Sequence, residues 1–376
     1  MTVLWGLLFG GLFLLCLAGI YFLIYSVHKL RFVSALSRGN KAVGWLISTA
    51  VILVPSALLW EVWGYMNTVI VLLHLAVFWG VAALIQWGLQ KRRKKSFQGH
   101  YAGPAAVLVT VLYLAVDFVQ ANHVWQTDYT VTTTKPVGSL RVALLADSHV
   151  GTTFDGEGLV AHIARIQEQK PDVVVIAGDF VDEGTRKEDM IAASRALGQI
   201  DVPYGVYYVF GNHDKGRYAK GQRGYDGDDL IAELQKNGVT VLQDQSVLID
   251  DRFYLVGRQD ASEEKDFGGG RAAISDLTKN LDKDKYTIVL DHQPSDYEAE
   301  AAAGVDLVLS GHTHGGQLIP MGQLMRWFHI GGEDNVYGFE QRGNTNFIVT
   351  SGISDWAIQF KTGTRSEYVI IDIQGK

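Results

Sequence analysis

The 376-residue chain contains a single cysteine, Cys16, and this scarcity excludes a disulfide within one chain. Acidic residues are almost absent from residues 1–127, which contain only Glu61 and Asp117 beside nine lysines and arginines. That stretch therefore has a net charge of +7, and since the whole chain has -7, residues 128–376 carry about -14. Such an acidic second part disfavours nucleic acid as a partner, because binding a polyanion depends on basic patches.

Long apolar runs are confined to the first third of the chain. Four of them, residues 2–26, 43–60, 67–89 and 101–120, have roughly the twenty residues that a membrane-spanning helix needs. We therefore expect a four-helix transmembrane region at residues 1–126, followed by a Thr-rich linker at 127–139 with room for one edge strand. A soluble domain is expected at residues 140–376.

The basic residues indicate which side of the membrane this domain occupies. Lys29, Arg31, Arg38 and Lys41 follow the first run, and the segment "KRRKK" at 91–95 follows the third. The positive-inside tendency places both loops in the cytoplasm, whereas the turn at 61–66 has no lysine or arginine. With an even number of crossings, the sequence predicts an integral protein of the cell membrane whose soluble domain is extracytoplasmic.

Metal-binding side chains follow five apolar runs of the second part. From Leu140 onward such runs alternate with amphipathic helical stretches, which predicts an α/β domain. The side chains at the run ends are Asp147 and His149, then Asp179, then Asn212 and His213, then His292, and finally His312 and His314. Taken singly, each is compatible with a capped turn or an ordinary loop histidine. Together they predict one metal site, because the carboxyl ends of parallel strands converge at one edge of a sheet.

The motifs "DSH", "GDFVDEG", "GNHD", "DHQP" and "GHTHGG" resemble, in this order, the five motifs of the calcineurin-like metallophosphoesterase superfamily. The resemblance covers about residues 140–371, and the apolar first part is similar to membrane-anchored bacterial members. It implies a β-sandwich core flanked by helices, and metal-dependent hydrolysis of phosphoesters. Donors without thiolate suit Mn, Fe or Zn rather than a structural zinc site of the cysteine type.

The resemblance also implies a role for each residue, with two divalent metal ions as cofactors. The ligands of the first ion would be Asp147, His149, Asp179 and His314. Those of the second would be Asp179, Asn212, His292 and His312, with Asp179 shared. His213 would face the substrate as catalytic acid, orientated by Asp182. Asp214 is compatible with either a supporting or a solvated position, and a structural reading is favoured for Asp260 and Asp291.

The sequence says less about the substrate than about the metal ligands. The loops at 216–229 and 321–344 are expected to select it, with Arg326 and Arg342 as candidates to hold phosphate. Met325, Trp327 and Phe328 would contact acyl chains or, as the slightly favoured alternative, pack as a lid over the sheet.

Three functions are compatible with these features. The favoured one is a membrane-anchored phosphoesterase acting on a phosphodiester, phosphomonoester or pyrophosphate, with a lipid-linked or phospholipid substrate. The alternative is a catalytically silent scaffold or sensor, which missing ligands would favour. A transport module is disfavoured because the apolar runs lack paired charges.

Overall fold

The computed structural model describes residues 2–94, 99–218 and 221–376, and the chain divides into two units, Met1–Asp117 and Phe118–Lys376. Lys95 of the predicted basic loop, and Ala219 and Lys220 of the predicted loop at 216–229, lie outside the described residues. The first unit is helical. Its elements are α1 (Thr2–His28), α2 (Arg31–Leu36), α3 (Lys41–Arg93) and most of α4 (Ala102–Asn122).

Helix α3 is interrupted at Gly64, whose φ of 81° is not helical. Near neighbours on α1 contact both halves of α3, since Tyr21 stacks 6.3 Å from Trp45 and Phe22 packs against Gly80. A straight helix would separate positions 45 and 80 by about 50 Å, so α3 folds back at Gly64. Its two halves coincide with the predicted second and third spans.

Two helices among the described residues, α3 and α4, are long and apolar enough to cross a membrane. Helix α1 contributes a shorter apolar stretch, Phe13–His28, among the residues whose side chains are described. Many large apolar side chains of the first unit are exposed, among them Leu46 at 71% and Val62 at 85%, as expected for lipid-facing positions. The four separate crossings therefore stay a prediction, while apolar helices suited to a membrane are present.

The described residues of the second unit form twelve strands. In chain order they are β1 (Trp125–Thr132), β2 (Ser139–Leu145), β3 (Val173–Ala177), β4 (Val206–Val209), β5 (Val239–Val241), β6 (Gln245–Ile249), β7 (Phe253–Gly257), β8 (Tyr286–Leu290), β9 (Leu307–Ser310), β10 (Gly338–Arg342), β11 (Thr345–Val349) and β12 (Glu367–Gln374). They form two six-stranded sheets, in the orders β1-β12-β2-β3-β4-β5 and β10-β11-β9-β8-β7-β6. The pairs β12 with β2, β10 with β11 and β6 with β7 are antiparallel, and the remaining pairs are parallel.

Helices cover the outer face of each sheet. The helices of this unit are α5 (Leu159–Glu168), α6 (Lys187–Leu197), α7 (Gly227–Lys236), α8 (Ser262–Lys265), α9 (Ile274–Thr278), α10 (Tyr297–Ala303) and α11 (Met321–Phe328). On β3, Val174 and Ile176 pack towards α5, α6 and α7, whereas Val173 and Val175 face the second sheet. Because both faces of β3 are buried, its sequence is a continuous apolar run. The predicted sandwich flanked by helices is thus present.

The second unit begins earlier than the predicted boundary at residue 140. Strand β1 takes up residues 127–132 of the predicted linker and pairs in parallel with β12, from Trp125 beside Glu367 to Thr132 beside Gln374. It lies at a sheet edge, as expected for the one strand allowed there. The last turn of α4 also belongs to this unit, since Ser366 Oγ donates a hydrogen bond to the Ala121 carbonyl at 2.7 Å. A Thr-rich segment looks like a linker, but threonine suits a strand once a partner is available.

Candidate metal centre

The predicted ligands lie in loops that directly follow β2, β3, β4, β8 and β9. Five of these residues have a left-handed backbone, with φ of 54° at Asp147, 35° at His149, 50° at Asp179, 74° at His312 and 50° at His314. Non-glycine residues rarely adopt this conformation, and the strain it costs concentrates at functional sites. The loops therefore turn sharply at the strand ends and direct the side chains to one place.

The first group consists of Asp147, His149 and His314, whose nearest ligand atoms all lie within 4.8 Å of one another. The Nε2 atoms of the two histidines are 3.2 Å apart. Asp147 Oδ1 lies 3.8 Å from His314 Nε2. Asp179 Oδ2 lies 3.7 Å from His149 Nε2, so all four predicted ligands of the first ion are close together.

The second group consists of Asp179, His292 and His312, with ligand atoms again within 4.8 Å. Asp179 Oδ2 is 3.1 Å from His292 Nε2. Asn212 Oδ1 lies 3.2 Å from His292 Nε2 and 3.0 Å from His312 Nδ1. The same Oδ2 atom of Asp179 therefore faces both groups, as a bridging carboxylate would.

The residues present fit two divalent cations. Asp147, His149, Asp179 and His292 are at most 1% exposed, so two carboxylates and converging imidazole nitrogens are buried together. A Cβ at Gly211 would lie 2.1 Å from Asp179 Oδ1, which explains why the chain has glycine there. Carboxylate, carboxamide and imidazole donors suit Mn, Fe or Zn.

Contacts with residues around the centre indicate which nitrogen of His292 and which of His312 faces it. His292 Nδ1 lies 2.7 Å from the Ala177 carbonyl, which leaves Nε2 as the inward atom. His312 is turned the other way, with Nδ1 at Asn212 and Nε2 3.5 Å from Glu333 Oε1. A hydrogen bond like that of His292 orients a metal-binding imidazole and selects its tautomer.

Burial at His314 and neighbouring charges at Asp179 favour the metal-binding forms of these two side chains. Burial lowers the pKa of His314 to about 3, although Asp147 opposes the shift, so this imidazole is neutral at physiological pH. Burial raises the pKa of Asp179, but the nearby His292 and His213 outweigh it and hold that pKa well below its usual range. Neutral imidazole and ionised carboxylate are the forms that ligate cations.

His213 is paired with Glu183 rather than with the predicted Asp182. Its Nδ1 lies 2.8 Å from Glu183 Oε1 and 3.0 Å from Oε2. Asp182 instead places Oδ2 3.4 Å from His149 Nδ1, and its Oδ1 accepts the Gly184 amide at 2.8 Å. The two carboxylates are adjacent in one loop, and sequence alone does not tell which of them turns towards which histidine.

Burial lowers the pKa of His213, but Asp179 and Glu183 reverse this effect and raise it to about 9. The imidazole is therefore held in its protonated form near neutral pH. Its ring centre lies 5.4 Å from that of His149, at the edge of the first group. The geometry suits a proton donor beside a metal site.

Asp214, whose role the sequence does not decide, holds the backbone of two loops of the centre. It is fully buried and accepts the backbone amides of Asp179 at 2.8 Å, Gly211 at 2.6 Å and Val181 at 3.0 Å. These bonds join the loops after β3 and β4. Asp214 is thus a positioning residue for Asp179 and not a ligand.

Asp260 and Asp291 have the structural roles expected for them. Asp260 Oδ1 accepts a hydrogen bond from Gln293 Nε2 at 2.9 Å, and Asp291 pairs with Arg258 at 2.9 Å.

Arg342, a predicted phosphate contact, forms ion pairs with Asp334 at 3.1 Å and Glu340 at 2.7 Å. Its charge is therefore already compensated.

Four residues around His213 were not predicted. Besides Glu183, buried Arg223 donates from Nη1 to the carbonyls of Asp182 at 3.2 Å and His213 at 3.3 Å. The rings of Tyr218 and Trp356 each lie 5.4 Å from the His213 ring. Arg223 stands in a polar, Gly-rich loop, and no sequence signal separates it from solvated arginines.

Comparisons with known proteins place this chain among metallophosphoesterases. Residues 140–316 match the family described as calcineurin-like phosphoesterase. An uncharacterized metallophosphoesterase of Aquifex aeolicus is 30% identical, over 72% of this chain and 99% of its own length. One from Campylobacter jejuni is 28% identical over 63% of this chain, and the matched region spans 60% of that relative. A Bos taurus protein named transmembrane protein with metallophosphoesterase domain is 28% identical over 76% of this chain and 64% of its own length.

Proposed function

This chain belongs to the calcineurin-like phosphoesterase family, and on that premise we propose that it is a membrane-anchored, metal-dependent phosphoesterase acting on a lipid-linked substrate. The reaction is hydrolysis of a phosphodiester, phosphomonoester or pyrophosphate bond. The position of Asp179 carries the proposal, because one carboxylate oxygen faces both groups of ligand atoms. All the ligands that a two-metal site needs are present, which argues against a silent scaffold.

Two cations would be held by the seven ligand residues named above, with Asp179 shared between them. When bound, such cations supply positive charge that neutralises phosphoryl oxygens and acidifies water. The residues around the ligands determine the position of that positive charge. Asp214 and the outer contacts of His292 and His312 lock the ligand side chains before a substrate arrives.

His213 would protonate the departing oxygen. Glu183 holds its Nδ1, so Nε2 is the nitrogen that delivers the proton. The carboxylate also stabilises the charged imidazole and fixes its orientation. Arg223 maintains this arrangement by tying together the carbonyls of residues 182, 213 and 214.

The lipid-linked substrate is supported by two features of the chain. Helices α3 and α4 are suited to a membrane, and α4 continues directly into the second unit. Exposed aromatic rings, Tyr218 and Trp356, flank His213, where the leaving group would stand. An enzyme tethered in this way meets substrates at the membrane surface in preference to soluble ones.

The test is hydrolysis by the purified full-length protein of a panel containing phospholipids, a lipid pyrophosphate and nucleotides. Mn, Fe and Zn should be supplied separately, and bound metal should be measured. We expect turnover that chelation abolishes and that Asp179→Asn reduces almost to background together with metal content. Asp276→Asn, at an exposed carboxylate, is the matched control. Unchanged turnover in Asp179→Asn or after chelation would refute the two-metal proposal.

A further inference from the structure

Exposed apolar side chains of the second unit are concentrated in one region. Among its described residues, ten large apolar side chains are exposed. Two, Phe118 and Val119, lie in the last turn of α4, and five others form a group that we name the apolar rim. The apolar rim consists of Ile319, Met321, Trp327, Phe328 and Trp356. Trp327 and Phe328 are 72% and 68% exposed, so they do not pack as the lid that the sequence slightly favoured.

One loop, residues 356–366, joins the last turn of α4 to the apolar rim. On one side, Ser366 donates from its backbone amide to the Gln120 carbonyl at 2.9 Å. Phe360 packs against Phe118 with ring centres 6.4 Å apart. The end of an apolar helix is therefore anchored on this loop.

On its other side, the same loop contacts the rim and a metal ligand. Gln317 Nε2 donates to the Trp356 carbonyl at 3.0 Å, and the Ile319 amide donates to Thr362 Oγ1 at 2.5 Å. Thr364 Oγ1 donates to the His314 carbonyl at 3.3 Å. The rim, the candidate metal centre and the end of α4 thus share one short segment.

The charge of this region differs from that of its surroundings. Residues 128–376 carry a net charge of about -14, yet residues 307–332 and 356–366 contain no aspartate or glutamate. Arg326 supplies a positive charge in α11, next to Trp327. Aromatic and apolar side chains beside a basic residue, without acidic ones, are typical of segments that lie in the interfacial layer of a bilayer. Anionic headgroups would not be repelled here, whereas the rest of the domain would repel them.

We propose that the apolar rim contacts the lipid bilayer and holds the metal centre at the membrane surface. The identity of the substrate as a lipid rests on the proposed function, but the contact itself requires no turnover. Ile319, Met321, Trp327 and Phe328 enter the headgroup and upper acyl region. Trp356 reaches from the rim to His213, so a lipid phosphoester leaving the bilayer passes along the rim to the site.

The experiment uses the full-length protein in liposomes and a single reporter cysteine. Because Cys16 is the only cysteine, Cys16→Ser gives a background without thiols. Trp327→Cys places a polarity-sensitive NBD fluorophore on the rim. Leu248→Cys, on β6 at the far edge of the second sheet and 40% exposed, is the matched control. Lipids that carry a nitroxide at different acyl depths serve as quenchers.

We expect the emission at position 327 to shift to the blue and to be quenched by shallow nitroxides, while position 248 remains water-exposed. Equal water exposure at both positions would overturn the proposal. A blue-shifted but unquenched signal at 327 would also overturn it, because the rim would then be covered by protein, such as a second copy. Quenching should persist in an Asp179→Asn background, so failure of the contact can be distinguished from failure of the catalytic proposal.

Discussion

The imidazole Nδ1 of His213 lies 2.8 Å from the Glu183 carboxylate. Glu183 takes the role expected of its neighbour Asp182, which faces His149 instead. The adjacent carboxylates therefore serve different histidines. One histidine is the proposed proton donor and the other a proposed metal ligand, so the two carboxylates should be separable by experiment.

Glu183→Gln should move the basic limb of the pH-rate profile to lower pH by about one unit, because a hydrogen bond to a charged partner is lost and the pKa of His213 falls. Metal content should be unchanged. Asp182→Asn is the matched variant, and it should weaken metal binding about tenfold or more through His149, while the basic limb moves less than in Glu183→Gln because Asp182 raises the pKa of His213 less than Glu183 does. The reverse pattern would show that the pairing is assigned to the wrong carboxylate.

His213→Ala should retain metal but lose turnover by about a hundredfold or more, the range for loss of a general acid. The deficit should shrink with a p-nitrophenyl ester, whose leaving group departs without a proton. His329→Ala, at an exposed histidine after α11, serves as control. Equal losses for alkyl and p-nitrophenyl esters would rule out the acid role.

Much of the site could be predicted because its signal is local. Asp147 follows β2 and Asp179 follows β3, so an apolar run and the next few residues suffice to place each donor at a strand end. The choice between Asp182 and Glu183 depends on loop torsions that no residue pattern records. Arg223 acts through backbone carbonyls, which any residue type supplies, so its role leaves no trace in the sequence.

The start of the second unit at Phe118, before the predicted boundary, has a related cause. Strand β1 is specified by its pairing with β12, which is more than 200 residues away. A segment rich in threonine gains strand structure only from such a partner. By contrast, the interruption of α3 at Gly64 agrees with two predicted apolar runs, because a run length near twenty residues is itself a local signal.

A fragment of residues 118–376 should fold and bind metal without the first unit. Deleting β1 as well, in a fragment of residues 133–376, should lower the unfolding temperature or cause aggregation. The longer deletion removes Val124 and Val131, which are 1% and 4% exposed, and uncovers the edge of β12. Thermal unfolding and metal content of both fragments check this. Equal stability would mean that β1 is dispensable and that the domain begins near residue 140.

The second unit should be reached by protease from outside the cell. Nine lysines and arginines lie in or beside the two loops assigned to the cytoplasm, and the turn at 61–66 has none. Lys135 and Arg141 follow α4 but are too few to reverse this bias. Spheroplasts treated with protease should lose the second unit without permeabilisation, whereas a cytoplasmic marker stays intact. Cleavage only after permeabilisation would place the domain in the cytoplasm and leave the metal chemistry untouched.

His162 on α5 should make the second unit less stable in mild acid. Burial lowers its pKa to about 4, and Arg165 and His123 add to this shift. A histidine in an unfolded chain titrates near 6.5. The contribution of neutral His162 to the free energy of unfolding is therefore fully present above that pH and is lost as the pH falls towards 4. The shift corresponds to about 2 kcal/mol after allowance for partial exposure. The unfolding temperature of His162→Gln should therefore fall less between pH 7.5 and 4.5 than that of the wild type. The unfolding temperature of His329→Gln should fall as much as that of the wild type. Identical losses in all three proteins would show that acid sensitivity originates elsewhere.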